Sequence, residues 1–261
     1  MENRLHALFG NTTTNIKRMK AVRQAIKIML EPIRQVPEEL LIEIGPEEFY
    51  GPLDPEEYLK PEPDVDFEGL MHGYFSNPFL LGLYKPMRSP GKVILFANNL
   101  QSFFGSLMRK AFRDGLRPKK ADYLQGADLI AYKTYYHELF HYDVDVLKTL
   151  FSSRHDSDKE EALAVAYAHR MLSSYERYYT KKNMNPAIFR YLMDHAFRYT
   201  SRGYRDWPYY RSDVAFKSGL LTYISPANAP LLGRIGVPVD NLIYSMLEKA
   251  RSDNALEEAV E

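Results

Sequence analysis

The sequence predicts an α+β fold in which a small β-containing front half precedes a mainly helical back half. Three observations carry this expectation. Short apolar runs bounded by Gly and Pro recur between residues 70 and 98, as half-buried strands require. From residue 122 onward apolar side chains recur at helical spacing. No stretch of disordered composition separates the halves, so residues 1–261 are expected to form one domain with two lobes, 1–120 and 121–261.

The elements follow in order. Residues 12–36 read as a helix: Thr12 to Asn15 offer caps, and Ile16, Met19, Val22, Ile26, Met29, Leu30 and Ile33 form an apolar stripe. Its other face is basic, with Lys17, Arg18, Lys20, Arg23 and Lys27; it reads as a solvated face over a buried stripe. Leu40 to Ile44 is a short strand, and residues 46–66, with five prolines among many acids, an irregular loop or arm. Leu70–Phe75, Leu80–Tyr84 and Val93–Phe96 are strands, and Gln101–Arg113 a helix closed by Gly115. Asp122 to Phe151 is one long helix, with Asp122 and Gln125 as a capping box. After a loop at 152–158, helices follow at 159–178 and about 186–199. The remainder is helical with breaks at its prolines and ends in a frayed acidic tail.

Composition narrows the function. The 261 residues carry 34 basic and 34 acidic side chains, so no global field recruits nucleic acid, an anionic membrane or acidic substrates. Cysteine is absent, which removes disulfides, thiolate nucleophiles and cysteine metal sites, and fits a reducing compartment. No run approaches the roughly 20 apolar residues of a membrane span, and the segment after Met1 lacks a signal-peptide core. A soluble, cytoplasmic protein is expected.

One motif carries chemistry. His137-Glu138-Leu139-Phe140-His141 lies inside the long helix. Positions i and i+4 share a helix face, so both imidazoles can reach one ion. Glu138, about 100° around the helix, can reach a water on that ion without easily ligating it. Zinc acidifies such a water, Glu138 takes its proton, and the nucleophile attacks a carbonyl. With seven histidines in the chain, about 0.013 chance matches to this pattern are expected.

A catalytic zinc needs a third protein ligand and an open fourth position. Glu161 heads a stripe continued by Val165, Ala168 and Leu172, and Ala162, Ala164, Ala166 and Ala168 allow its helix to pack closely; Glu160 is the alternative ligand. This arrangement resembles the gluzincin branch of the zincin metallopeptidases, with His-Glu-x-x-His on one helix and a Glu ligand on the next. The start of the second helix, with Tyr167-Ala168, also resembles the ImmA/IrrE group, intracellular peptidases of which several cleave a repressor. The likeness covers about residues 91–172. It implies a zincin-like fold, zinc held by His137, His141 and Glu161, Glu138 as general base, and a peptide or protein substrate. Val165 stands where many gluzincins have Asp, and Phe140 where Gly is common in the ImmA/IrrE group.

Other readings are weaker. A di-iron bundle needs a second Glu-x-x-His, and no other histidine has Glu three positions earlier. A catalytically degenerate zincin-fold binding or regulatory protein is the main alternative. An interaction protein with core histidines would bury His137, Glu138 and His141 at a cost. Tyr204, Tyr209, Tyr210, His169 and His195 are candidates to stabilise an oxyanion, and Asp143 and Asp156 to support a zinc histidine. The aromatic segment Tyr204–Tyr210 is expected to plug the core or line the cleft.

Overall fold

A computed structural model describes residues 19–34, 80–85, 91–151, 156–224 and 256–261. The strands at 40–44 and 70–75, the arm at 46–66, His155 and the proline-punctuated stretch 225–255 lie outside the described residues. The architecture is α+β and mostly helical, with one small sheet.

The sheet has three strands in the order β1-β2-β3. β1 (Gly82–Lys85) pairs antiparallel with β2 (Gly91–Leu95), in the register Gly82↔Leu95 to Lys85↔Lys92. Side chains alternate as the pleat demands. Val93 and Leu95 enter the main core, while Ile94 joins Leu80, Leu83 and Phe96 in a second cluster.

The third strand corrects an expectation. The acidic C-terminal segment is not frayed: β3 (Leu256–Val260) pairs parallel with β2 in the register Gly91↔Leu256 to Leu95↔Val260. The backbone bonds Glu261 N–H to Leu95 O and Ala97 N–H to Glu261 O continue the attachment. The sheet thus draws strands from both sides of residue 120. Charged residues made the segment read as tail, but ladder hydrogen bonds use only the backbone. The Glu258 carboxylate reaches α1 (Lys20–Met29), where Oε2 accepts from the Lys20 and Ala21 N–H groups; its Oε1 accepts from the Tyr135 hydroxyl. Helix α1, capped by no side chain of its own at Met19, is capped from across the chain.

Ala21, Val22, Ala25 and Met29 are buried on α1, while Lys20, Arg23 and Lys27 face out. A short helix α2 (Glu31–Arg34) follows. Helix α3 (Ala97–Arg113) begins four residues earlier than its apolar pattern suggests and buries Leu100, Phe103, Phe104, Leu107 and Met108.

Helix α4 (Lys120–Phe151) is the spine of the fold. Its start differs in detail from the expected capping box. Asp122 sits in the first turn, and its Oδ2 accepts from the Lys119 N–H while Oδ1 accepts from Asn185 N–H. It is therefore the carboxylate that reaches back, not the cap itself, and Gln125 has no part in it. Helix α5 (Ser157–Ser173) is capped by Asp156, whose side chain accepts from Lys159 N–H. The expected continuous helix to 178 breaks after Ser173, where the Ser173 and Ser174 hydroxyls donate to the carbonyls of His169 and Met171. Then come α6 (Glu176–Lys181), α7 (Pro186–His195), a 3₁₀ helix (Tyr204–Tyr210) and α8 (Asp213–Ile224). Among the described residues no helix is long and apolar enough to cross a membrane.

Candidate metal centre

Two helices build the site. α4 supplies His137, Glu138 and His141, and the first turn and a half of α5 supplies Glu160 and Glu161. Ala164 and Ala168, buried on the same face of α5 as Glu161, let the pair pack closely. Phe140 packs against both Tyr167 and Phe216, at centroid distances of 5.6 and 6.1 Å. A glycine there would leave that cluster of α4, α5 and α8 unfilled. Val165 is likewise buried core.

The structure brings the three expected ligands together. His137 Nε2 lies 3.1 Å from Glu161 Oε2, His141 Nε2 lies 3.3 Å from the same oxygen, and the two Nε2 atoms are 3.3 Å apart. These atoms form a nearly equilateral triangle of the kind a metal ion can share. A tetrahedral zinc with bonds of 2.0–2.1 Å separates its ligands by about 3.3 Å, so the donor set fits that ion. His137 is buried and His141 and Glu161 are partly buried, with the Glu161 Oε2 atom itself shielded from solvent.

The electrostatics favour a cation. Burial works against charge on His141, but Glu161 and Glu160 outweigh it and hold the imidazole well above its usual pKa. Burial would also raise both carboxylates. His141 and His137 nonetheless keep Glu161 far below the usual range, and His141 with Lys148 brings Glu160 down to about 2. The charges that favour a proton there would equally favour a metal ion.

Glu160 is not placed as a ligand. Its Oε1 lies 2.8 Å from His141 Nδ1, on the far side of the ring from the triangle, and Oε2 accepts from Lys148 Nζ and the Tyr223 hydroxyl. An ionised carboxylate only accepts, so Nδ1 carries a proton, and as a metal ligand a neutral His141 would turn its Nε2 lone pair toward the other two donors. Of the two aspartates expected in this supporting role, Asp156 instead caps α5, and Asp143 is buried on α4 two residues past His141. Lys148 and Tyr223 were not legible as site residues, since nothing local marks them among the many lysines and tyrosines of the chain.

Glu138 is buried and lies against β1. A Cβ on Gly82 would meet Glu138 Cγ at 2.9 Å and Oε1 at 3.0 Å, so only glycine lets the strand pass this close. Of the oxyanion candidates, Tyr204 alone is placed at the ligands. It is buried, its ring stacked on His137 at 5.7 Å with 17° between planes. Gly203 permits this approach, since it adopts φ 81° and a Cβ there would stand 3.0 Å from the Asp158 backbone. His169 packs against Trp207 at 4.4 Å and Phe197 at 5.0 Å, and burial with Arg211 and Arg170 nearby brings its pKa down to about 4. His195 stacks on Tyr191, Tyr209 is exposed, and the Tyr210 ring covers Gly219.

No known protein family, curated protein or solved structure matches this chain.

Proposed function

We propose that the protein is a zinc-dependent metallopeptidase of zincin-like fold. His137, His141 and Glu161 hold the metal, Glu138 is the general base, and a peptide or protein is the substrate. The observation that carries this reading is the triangle of His137 Nε2, His141 Nε2 and Glu161 Oε2, with edges of 3.1–3.3 Å. Glu138, adjacent in sequence to a ligand, supports hydrolysis over a purely structural site, which has no use for a buried carboxylate there.

A bound zinc would supply Lewis acidity, polarising a substrate carbonyl and lowering the pKa of a water toward neutrality. The chain supplies the rest. Glu138 accepts the proton of the attacking water and returns it to the leaving amine. Tyr204 fixes the plane of His137 by stacking. β1 runs along α4 through the contacts of Gly82 with Glu138 and of the Tyr84 hydroxyl with Asp145 Oδ2, 2.8 Å away. It is an outer strand among the described residues, and an extended peptide added along it would lie beside Glu138.

The test is direct. The purified protein should bind about one zinc per chain and cleave an unstructured peptide library. His137→Ala should lose the zinc. Glu138→Gln should keep it and lose cleavage by about 10²-fold or more. Undiminished cleavage by Glu138→Gln rejects the peptidase mechanism. Zinc binding without cleavage by the wild-type protein favours a binding or regulatory protein of the same fold.

A further inference from the structure

We propose that Glu160 is the positioning residue of the metal centre, and that Lys148 and Tyr223 hold it in place, so that docking of α8 sets the geometry of His141. The proposal rests on the metal reading above and deepens it.

Consecutive residues of α5 address the two nitrogens of one imidazole. Glu161 Oε2 lies 3.3 Å from His141 Nε2, and Glu160 Oε1 lies 2.8 Å from Nδ1. A ligand histidine needs its second nitrogen fixed, because ring rotation or the wrong tautomer removes the metal-facing lone pair. Glu160 does this for His141.

Glu160 is in turn immobilised. It is buried, and its Oε2 accepts from Lys148 Nζ on α4 and from the Tyr223 hydroxyl on α8. The Lys148 ammonium also stands over the Tyr223 ring, 5.1 Å from its centroid. The three side chains thus close a polar knot joining α4, α5 and α8. Both Glu160 oxygens are engaged, so ligation by Glu160 would require breaking this knot; the arrangement decides between the two neighbouring glutamates. It also gives α8 a role at a metal it does not touch. Phe216 of α8 packs on Phe140, at 6.1 Å, one residue before His141 in sequence.

The experiment measures zinc affinity by competition with a chromophoric chelator, and the ligand set by the visible spectrum of the cobalt-substituted protein. Glu160→Gln should bind one zinc about 10–100-fold more weakly than wild type, with its cobalt bands unchanged. Glu161→Gln should alter the bands. Tyr223→Phe and Lys148→Met, which leave every ligand and Glu160 intact, should weaken zinc binding severalfold with unchanged bands. Cobalt bands altered alike in Glu160→Gln and Glu161→Gln would make Glu160 a ligand and overturn the assignment. Wild-type affinity in Glu160→Gln would overturn it too. Should that variant not fold, wild-type affinity in both Tyr223→Phe and Lys148→Met decides against the proposal. A wild-type protein that takes up no zinc overturns the metal reading itself, and this assignment with it.

Discussion

Oε1 of Glu138 stands 3.0 Å from the point where a side chain would begin on Gly82, so Glu138 and the neighbouring strand are fitted to one another across the gap between α4 and β1. A methyl group at Gly82 would also meet Thr134 Cγ2 at 2.6 Å. Gly82→Ala should therefore displace Glu138 while leaving the metal ligands in place. The expected outcome is unchanged zinc content, peptide cleavage reduced about tenfold or more, and a stability loss of about 1–3 kcal/mol from overpacking. Zinc analysis beside peptidase assay checks it. Full activity in this variant would mean that β1 does not position Glu138.

Zinc should compete with a proton at His141. Burial opposes charge on that imidazole, but Glu161 and Glu160 raise its pKa well above the usual value. A ligand must be neutral, so binding expels the proton. Affinity should then rise with pH until the medium exceeds the raised pKa of His141, and fall on acidification already above the usual value near 6.5. Calorimetric titrations in buffers of different ionisation enthalpy at pH 7 should reveal close to one proton released per zinc. An affinity flat between pH 6 and 8 would contradict the described electrostatics.

Asp128 offers a stability test remote from the metal. It lies in a tyrosine-lined pocket with Tyr132, Tyr136, Tyr175, Tyr178 and Tyr179. Burial pushes its carboxyl up to about 6, although the Tyr179 hydroxyl donates to Oδ2 at 3.1 Å. Since the folded pKa exceeds the unfolded value near 3.9, the folded state binds the extra proton, and stability is lost as pH rises from about 4 to 6. Asp128→Asn keeps the acceptor without the charge. It should stabilise the protein at pH 7 by up to about 3 kcal/mol, with the gain shrinking to nothing below pH 4. Denaturant melts at both pH values test this, and equal stability at pH 7 would refute it.

Glu258 ties the C-terminal strand to α1. Its Oε2 accepts from two N–H groups of the first turn. Glu258→Ala should cost about 1–2 kcal/mol, as loss of a charged helix cap does, and should speed hydrogen exchange at Lys20 and Ala21. The loss should shrink in Glu258→Gln, which retains an acceptor. Exchange at these amides unchanged from wild type would show that α1 is capped otherwise.

The sequence made the helices of the candidate metal centre legible for a local reason. His137 and His141 share a face of any regular helix, and the wide apolar pattern from Leu129 to Leu147 makes a helix the expected conformation there. The small residues from Ala162 to Ala168 announced close packing, which placed the Glu161 helix against the motif helix. Val93 to Leu95 announced a strand by its β-branched and apolar run. In each case the signal lies within a few residues, where backbone periodicity alone decides which side chains are neighbours.

Other features required the chain to be brought back on itself. Glu258 and Lys20 are 238 residues apart, and Glu160 and Tyr223 are 63 apart. The acidic tail looked solvated because its charges outnumber its apolar groups, yet β3 is held by backbone bonds to β2 that no side-chain pattern encodes. Tyr204 was one tyrosine among 20, and only the turn at Gly203 sets it on His137. The sequence by itself determined the residue types and helical spacing of the candidate metal donors. Tertiary structure alone decided which of two adjacent glutamates faces the donor triangle and which secures the imidazole from behind. Residues one step apart on a helix differ by about 100° in direction, and only the docking of α5 between α4 and α8 determines what each direction meets.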